Sequence, residues 1–152
     1  MQLSEAGLEL LKSSEGFRAH VYRDVAGLPT IGFGHRLLHP ESFPNGIDEA
    51  QGEEILRSDI REAEQAVKRL VKVELSQGQF DALVDFVFNL GSGRLSSSTL
   101  LKILNGGRYQ EALEQLLRWD HADGEEYNAL KARREAEAAL WRGEVLNQAV
   151  AA

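Results

Sequence analysis

The feature that most restricts this chain is a single interruption of its helical patterning. From Ala19 to His35 apolar residues stop recurring at three and four, and the sequence reads AHVYR, then VAGLP, then TIGFGH. The middle block carries Gly27 and Pro29, which suit a turn, so the segment predicts a β-hairpin with room for a further short strand after His35. Gly32 and Gly34 weaken a strand and mark a bend or the close approach of another group. With helical spacing on both sides of it, one short extended stretch defines an α+β chain, mostly α, whose sheet is small and N-terminal.

The helices announce their own starts. Ser4 is placed to cap a first helix carrying Leu8 and Leu11 that ends near Gly16. Glu15 then stands at a helix end, where the macrodipole disfavours a carboxylate unless something compensates. Asp48 with Gln51 forms a capping box ahead of Leu56, Ile60, Ala63, Val67 and Leu70, the apolar line of one long, charge-laced helix. Ser76 with Gln79 opens another, whose stripe of Phe80, Leu83, Val84, Val87 and Phe88 is wide enough for a central core helix. Further helices are expected near 98–105, 108–119 and 127–141, with Trp119 and Trp141 as packing residues, and the tail after Glu144 is expected to fray. The expected organisation is one domain of two lobes. A small N-terminal lobe covers about 15–58, a connecting helix about 59–71 and an all-helical C-terminal lobe about 76–145, with the first helix, 4–14, packing on the last.

Composition removes several function classes. The 152 residues are 43% hydrophobic and 27% charged with three prolines, a globular mixture. There is no cysteine, which excludes disulfides, thiolate metal sites and cysteine nucleophiles. The net charge of −7 is spread evenly, 9 basic and 13 acidic groups in residues 1–75 against 8 and 11 in the remainder, so no clustered positive field recommends nucleic acid as a partner. No run approaches the roughly 18 apolar residues of a membrane span. The N-terminal MQLSEAGLELLKSSEGF also lacks a signal-peptide pattern. These points lead to the expectation of a chain made in the cytoplasm and held there at first, without stable membrane association.

Three side chains in the hairpin region suit hydrolytic chemistry. Glu15 is followed by Asp24 and Thr30, and the hairpin reading puts Asp24 at the end of one strand and Thr30 at the start of the next, together at one turn. Two carboxyls in one site supply the acid and the water-directing group that glycoside hydrolysis needs. Each residue alone is ordinary: a surface charge, a turn former, a strand residue. His35, with His20, His39 and His121 elsewhere, lacks metal-ligand spacing, so a structural histidine and no metal is expected. Gly32-Phe33-Gly34 lacks the third glycine of a dinucleotide fingerprint, residue 37 being Leu, and no cofactor is expected.

The combination E-G-F-R…Y-R-D…G…P-T-I-G-F-G-H, with Glu15, Asp24 and Thr30 at its fixed points, resembles the phage-type lysozymes, the endolysins of bacteriophages. The likeness continues through Gln79-Phe80-Asp81-Ala82-Leu83, Phe88-Asn89-Leu90-Gly91, Ser98-Thr99-Leu100-Leu101, Arg118-Trp119, Arg133-Arg134 and Leu140-Trp141. The resemblance implies a lysozyme-like fold and a muramidase cutting the β-1,4 bond between N-acetylmuramic acid and N-acetylglucosamine in peptidoglycan, with inversion. Glu15 would be the general acid, and Asp24 with Thr30 would hold the attacking water. Arg36, Phe88 and Thr99 would meet the substrate. Gly32, Gly34, His35, Arg133 and Arg134 would support the site, with one of the two arginines, left open here, pairing with Glu15. It further implies a monomer acting on glycan strands, released from the host cytoplasm to the periplasmic wall by a holin. Two alternatives on the same fold are a lytic transglycosylase, which needs no water-holding Asp and Thr, and a non-catalytic wall-binding module, which has no need to keep Glu15 or Asp24. The acidic charge departs from basic relatives and weakens long-range attraction to an anionic wall, leaving Arg18, Arg36, Arg133 and Arg134 as local cations.

Overall fold

The computed structural model describes residues 1–119 and 125–144. His121 and the tail after Glu144 lie outside the described residues. The elements run α1 (Glu5–Glu15), β1 (Arg18–Arg23), β2 (Pro29–Gly32), β3 (His35–Arg36), α2 (Glu49–Leu70), α3 (Gln77–Leu90), α4 (Ser92–Ser96), α5 (Thr99–Asn105), α6 (Tyr109–Leu117) and α7 (Glu125–Trp141). The chain is therefore mostly helical, with one small antiparallel sheet of order β1-β2-β3. Among the described residues no helix is long and apolar enough to cross a membrane.

The caps form as their sequences require. Ser4 Oγ accepts the Gly7 N–H, which stops α1 from unravelling at its start. Asp48 and Gln51 exchange side-chain and backbone bonds of 2.9 and 2.8 Å, and Ser76 and Gln79 do the same at 2.8 and 3.1 Å. Gly16, at φ +69, ends α1 in the left-handed region that glycine tolerates best. The five-residue α4, which begins directly after Gly91, is absent from the sequence reading because it is too short to show a period.

Two compact units result, Leu11–Glu62 and Met1–Leu10 with Ala63–Ala152. The first holds the sheet and the N-terminal part of α2. Its core gathers Leu11, Ile31, Phe33, Ile47 and Leu56, all buried, and Phe17 packs on Phe33 with ring centroids 5.3 Å apart. Gly32 permits a close approach, since a Cβ there would stand 3.3 Å from Ile47 Cδ1 and 3.6 Å from Gly52 Cα.

The second unit is built on α3, whose residues from Phe80 to Val87 are all buried. A helix buried all round must satisfy its own polar side chains. Asp81 does so by accepting from Ser4 N–H at 3.0 Å, from the Ser4 hydroxyl and from Gln77 Nε2 at 2.8 Å. Asp85 takes a two-pronged guanidinium from Arg133 on α7, both bonds 2.9 Å. The α3–α7 seam closes tightly, because a Cβ on Gly78 would collide with the backbone oxygen of Leu140. Backbone cannot yield as a side-chain tip can, so Gly78→Ala is expected to destabilise the protein by about 1–3 kcal/mol. Gly93→Ala, with nothing within 4 Å of its added carbon, should be neutral or slightly stabilising. Urea midpoints of the two variants check this, and equal midpoints would contradict it.

Candidate active site

The sheet-bearing unit collects the chemical residues around the β1–β2 turn. Asp24 follows β1 directly. Its N–H donates to the Leu28 carbonyl at 3.0 Å and its own carbonyl accepts from Gly27 at 2.8 Å. Its Oδ1 accepts the backbone N–H groups of Ala26 and Leu28, both at 2.9 Å. Oδ2 accepts from Arg36 Nε at 3.1 Å. Donors aimed at a carboxylate favour its charged form, and Asp24 is held below the usual carboxylate range, first by the Leu28 N–H and then by Ala26 and Arg36, against a smaller desolvation. Arg36, read from the sequence as a substrate contact, stands here as the partner of Asp24.

Thr30 is buried in β2, and its hydroxyl donates to the Leu28 carbonyl at 2.9 Å. That donation uses its only proton, so the remaining lone pairs can only accept. Strand register sets Tyr22 of β1 opposite Thr30, and Thr30 opposite Arg36 of β3. The three residues therefore form one row across the sheet, with Asp24 two residues beyond Tyr22. Glu15, at the last position of α1, is half-buried, and a Cβ on Gly34 would strike its Oε1. Gly34, at φ +71, is thus required twice, by its backbone and by the carboxyl it accommodates.

His35 is buried beneath this row. Its Nδ1 lies 2.7 Å from Asp59 Oδ2 on α2, and its Nε2 3.0 Å from Glu41 Oε1. Burial alone would lower its pKa, but the bonds to Asp59 and Glu41 prevail and raise it. Glu41 is lowered, chiefly by the Leu38 N–H and further by His35, whereas the more deeply buried Asp59 is raised because desolvation outweighs His35. Among the described residues no group of three or more His, Cys, Asp or Glu is arranged to hold a metal ion.

The remaining residues singled out in the sequence belong to the helical unit. Phe88 is half-buried near the end of α3, and Thr99 is exposed at the start of α5. Arg133 grips Asp85, while Arg134 donates to Asn89 at 2.6 Å and to Glu137 at 2.9 Å. Asp85, Arg134 and Glu137 are fully buried. Burial pushes Glu137 well up, helped by Asp85. At Asp85 the same burial is outweighed by the bond from Glu137 and by Arg133. Sequence reasoning passed over Asp85 and Glu137, whose only signal is a carboxylate inside an apolar stripe.

The profile of the phage lysozyme family matches residues 12–137. The chain is 43% identical over 145 residues to an endolysin of Bacillus phage B103, covering 93% of this chain and 54% of that one. It thus spans about half the length of that relative. It is 39% identical over 144 residues to the endolysin of Salmonella phage P22, covering 93% and 98%, and 41% identical over 120 residues to a SAR-endolysin of Escherichia phage Mu, covering 79% and 69%. Its fold superposes on the crystal structure of a P22 lysozyme mutant with a TM-score of 0.80, at 36% identity over 93% of this chain and 99% of that one. This chain belongs to the phage lysozyme family.

The His35 cluster sets a pH dependence. A raised histidine stabilises the fold below its unfolded pKa and loses that contribution as pH rises through its folded one. A lowered Glu41 stabilises above its unfolded value and loses that contribution as pH falls. Their shared window lies between about 4.3 and 6.5, the unperturbed Glu and His values. His35→Asn should therefore cost more stability in urea at pH 5.5 than at pH 9, and an equal cost at both would contradict the ion-pair account.

Proposed function

We propose that the protein is an endolysin that hydrolyses the β-1,4 bond between N-acetylmuramic acid and N-acetylglucosamine in peptidoglycan, with inversion at the anomeric carbon. One observation carries the reading: Asp24 is a carboxylate fixed by three donors, with an acceptor position still open on Oδ2, beside a threonine hydroxyl that can only accept. A water donating one O–H to Asp24 and the other to Thr30 keeps its lone pair for carbon. Glu15 gives its proton to the departing glycosidic oxygen as that C–O bond breaks. The water oxygen bonds to carbon from the opposite face, and its proton passes to Asp24. Three hydrogen bonds already delocalise the charge of Asp24, which makes it a poor nucleophile and favours water as the attacking group. Gly34 and Arg36 position Glu15 and Asp24, while Phe88 and Thr99 contact the glycan strand.

Family membership and the endolysin relatives support this reading. On it, the protein is a monomer that waits in the host cytoplasm until a holin opens the inner membrane and then reaches the periplasmic wall. Glu15→Gln keeps the shape of the acid without its proton. It is expected to lower reducing-end release from purified peptidoglycan by about a hundred- to ten-thousandfold with an unchanged melting temperature. Full activity in that variant would remove Glu15 from the mechanism.

A further inference from the structure

The row Tyr22–Thr30–Arg36 contains one member that the hydrolytic mechanism does not use. Thr30 and Arg36 have assigned tasks, and Tyr22 is their neighbour on the same face of the sheet. Directly paired side chains in an antiparallel sheet stand about 4.5–5.5 Å apart at Cβ, so the Tyr22 ring begins beside the water-holding hydroxyl. An irregularity in the pairing between Arg18 and Tyr22 turns this part of β1, a common way of re-aiming a side chain next to a site. The Arg18 guanidinium sits over the ring at 4.5 Å from its centroid. One ring face is therefore occupied by a cation, which leaves the polar tip as the free end.

That tip makes no hydrogen bond to any of the described residues. The hydroxyl oxygen is reached by solvent, so it is available to a ligand. We infer that Tyr22 is a substrate-contacting residue of this site, its hydroxyl donating a hydrogen bond to an oxygen of the saccharide unit at the bond being cut. The inference rests on the reading of Glu15, Asp24 and Thr30 as the hydrolytic group. The electrostatics agree: burial, Glu15 and Asp24 all raise the pKa of the phenol, with Arg18 opposing, so it remains a donor at any pH at which the enzyme would work. Two carboxylates acting on one phenol also locate it near both the acid and the water-holding side. A packing tyrosine would have its ring face, not its hydroxyl, as the part that matters.

Tyr22→Phe removes the hydroxyl and keeps the ring. It is expected to lower kcat/KM on soluble peptidoglycan strands about three- to tenfold, the worth of one neutral hydrogen bond, with melting temperature unchanged. Arg18→Met, which removes the cation and leaves the hydroxyl, should have the smaller effect. Independently of that variant's folding, the Glu15→Gln protein labelled with carbon-13 at the tyrosine Cζ can be titrated with a muramic acid–N-acetylglucosamine tetrasaccharide. The Tyr22 resonance, assigned through its contact with Thr30, should move on binding while that of Tyr109 stays. A folded Tyr22→Phe with unmodified kcat/KM, or an unmoved Tyr22 resonance on a saturated protein, would overturn the inference and leave the hydrolytic reading standing. Failure of the unmodified protein to release any reducing ends would overturn the hydrolytic reading, and this one with it.

Discussion

The carboxylate of Asp24 ties the sheet-bearing unit together. One side chain receives two backbone N–H groups of its own turn, while its backbone closes the same turn with Leu28 and Gly27. Its second oxygen reaches Arg36 on the third strand. The turn that joins β1 to β2, the alignment of Thr30 and the seat of Arg36 therefore all depend on one ionised group. This arrangement also decides chemistry. A carboxylate that three donors stabilise is a weak base and a weaker nucleophile, so it suits orienting a water better than attacking carbon. Structural and chemical roles coincide in the same bonds, and neither can be removed without the other.

The helical unit manages charge differently. Asp24 is near solvent and gains its low pKa from hydrogen bonds, whereas Asp85, Arg134 and Glu137 are fully buried and must neutralise one another. Desolvation costs several kcal/mol per buried ion, which a fork such as Arg133–Asp85 offsets only through near-ideal geometry. Arg133 pairs with Asp85 and Arg134 with Glu137, so the two cations and two carboxylates balance, while burial pushes Glu137 upward. The effect of the cluster is to register α7 against α3, where the Gly78–Leu140 contact leaves no slack.

Local features were legible in the sequence and distant partnerships were not. Capping at Ser4, Asp48 and Ser76 spans three residues, and the hairpin is punctuated by Gly27 and Pro29, so each could be read directly. The long helix through residue 70 showed in its apolar spacing. Arg36 was assigned to substrate through the family resemblance, and its bond to Asp24, twelve residues away, becomes visible only once the register of β2 and β3 is known. Tyr22 was not singled out for the same reason, an aromatic in a strand being unremarkable until Thr30 is set opposite. His35 was read as a structural histidine, but its partners Glu41 and Asp59 come from a loop and from α2, and no spacing rule links them. The acids of α3 and α7 were hidden because burial of a charged residue is a tertiary fact.

The central claim is that Asp24 holds water and does not attack carbon. Proton NMR of the reducing end, recorded immediately after the enzyme cuts peptidoglycan strands and before mutarotation, reports the answer. Water delivered opposite a β-linked leaving group gives the α anomer first, with the β form appearing only as the sugar equilibrates. A β anomer as the initial product would contradict the account, because it requires a covalent intermediate on the carboxylate that this turn keeps occupied.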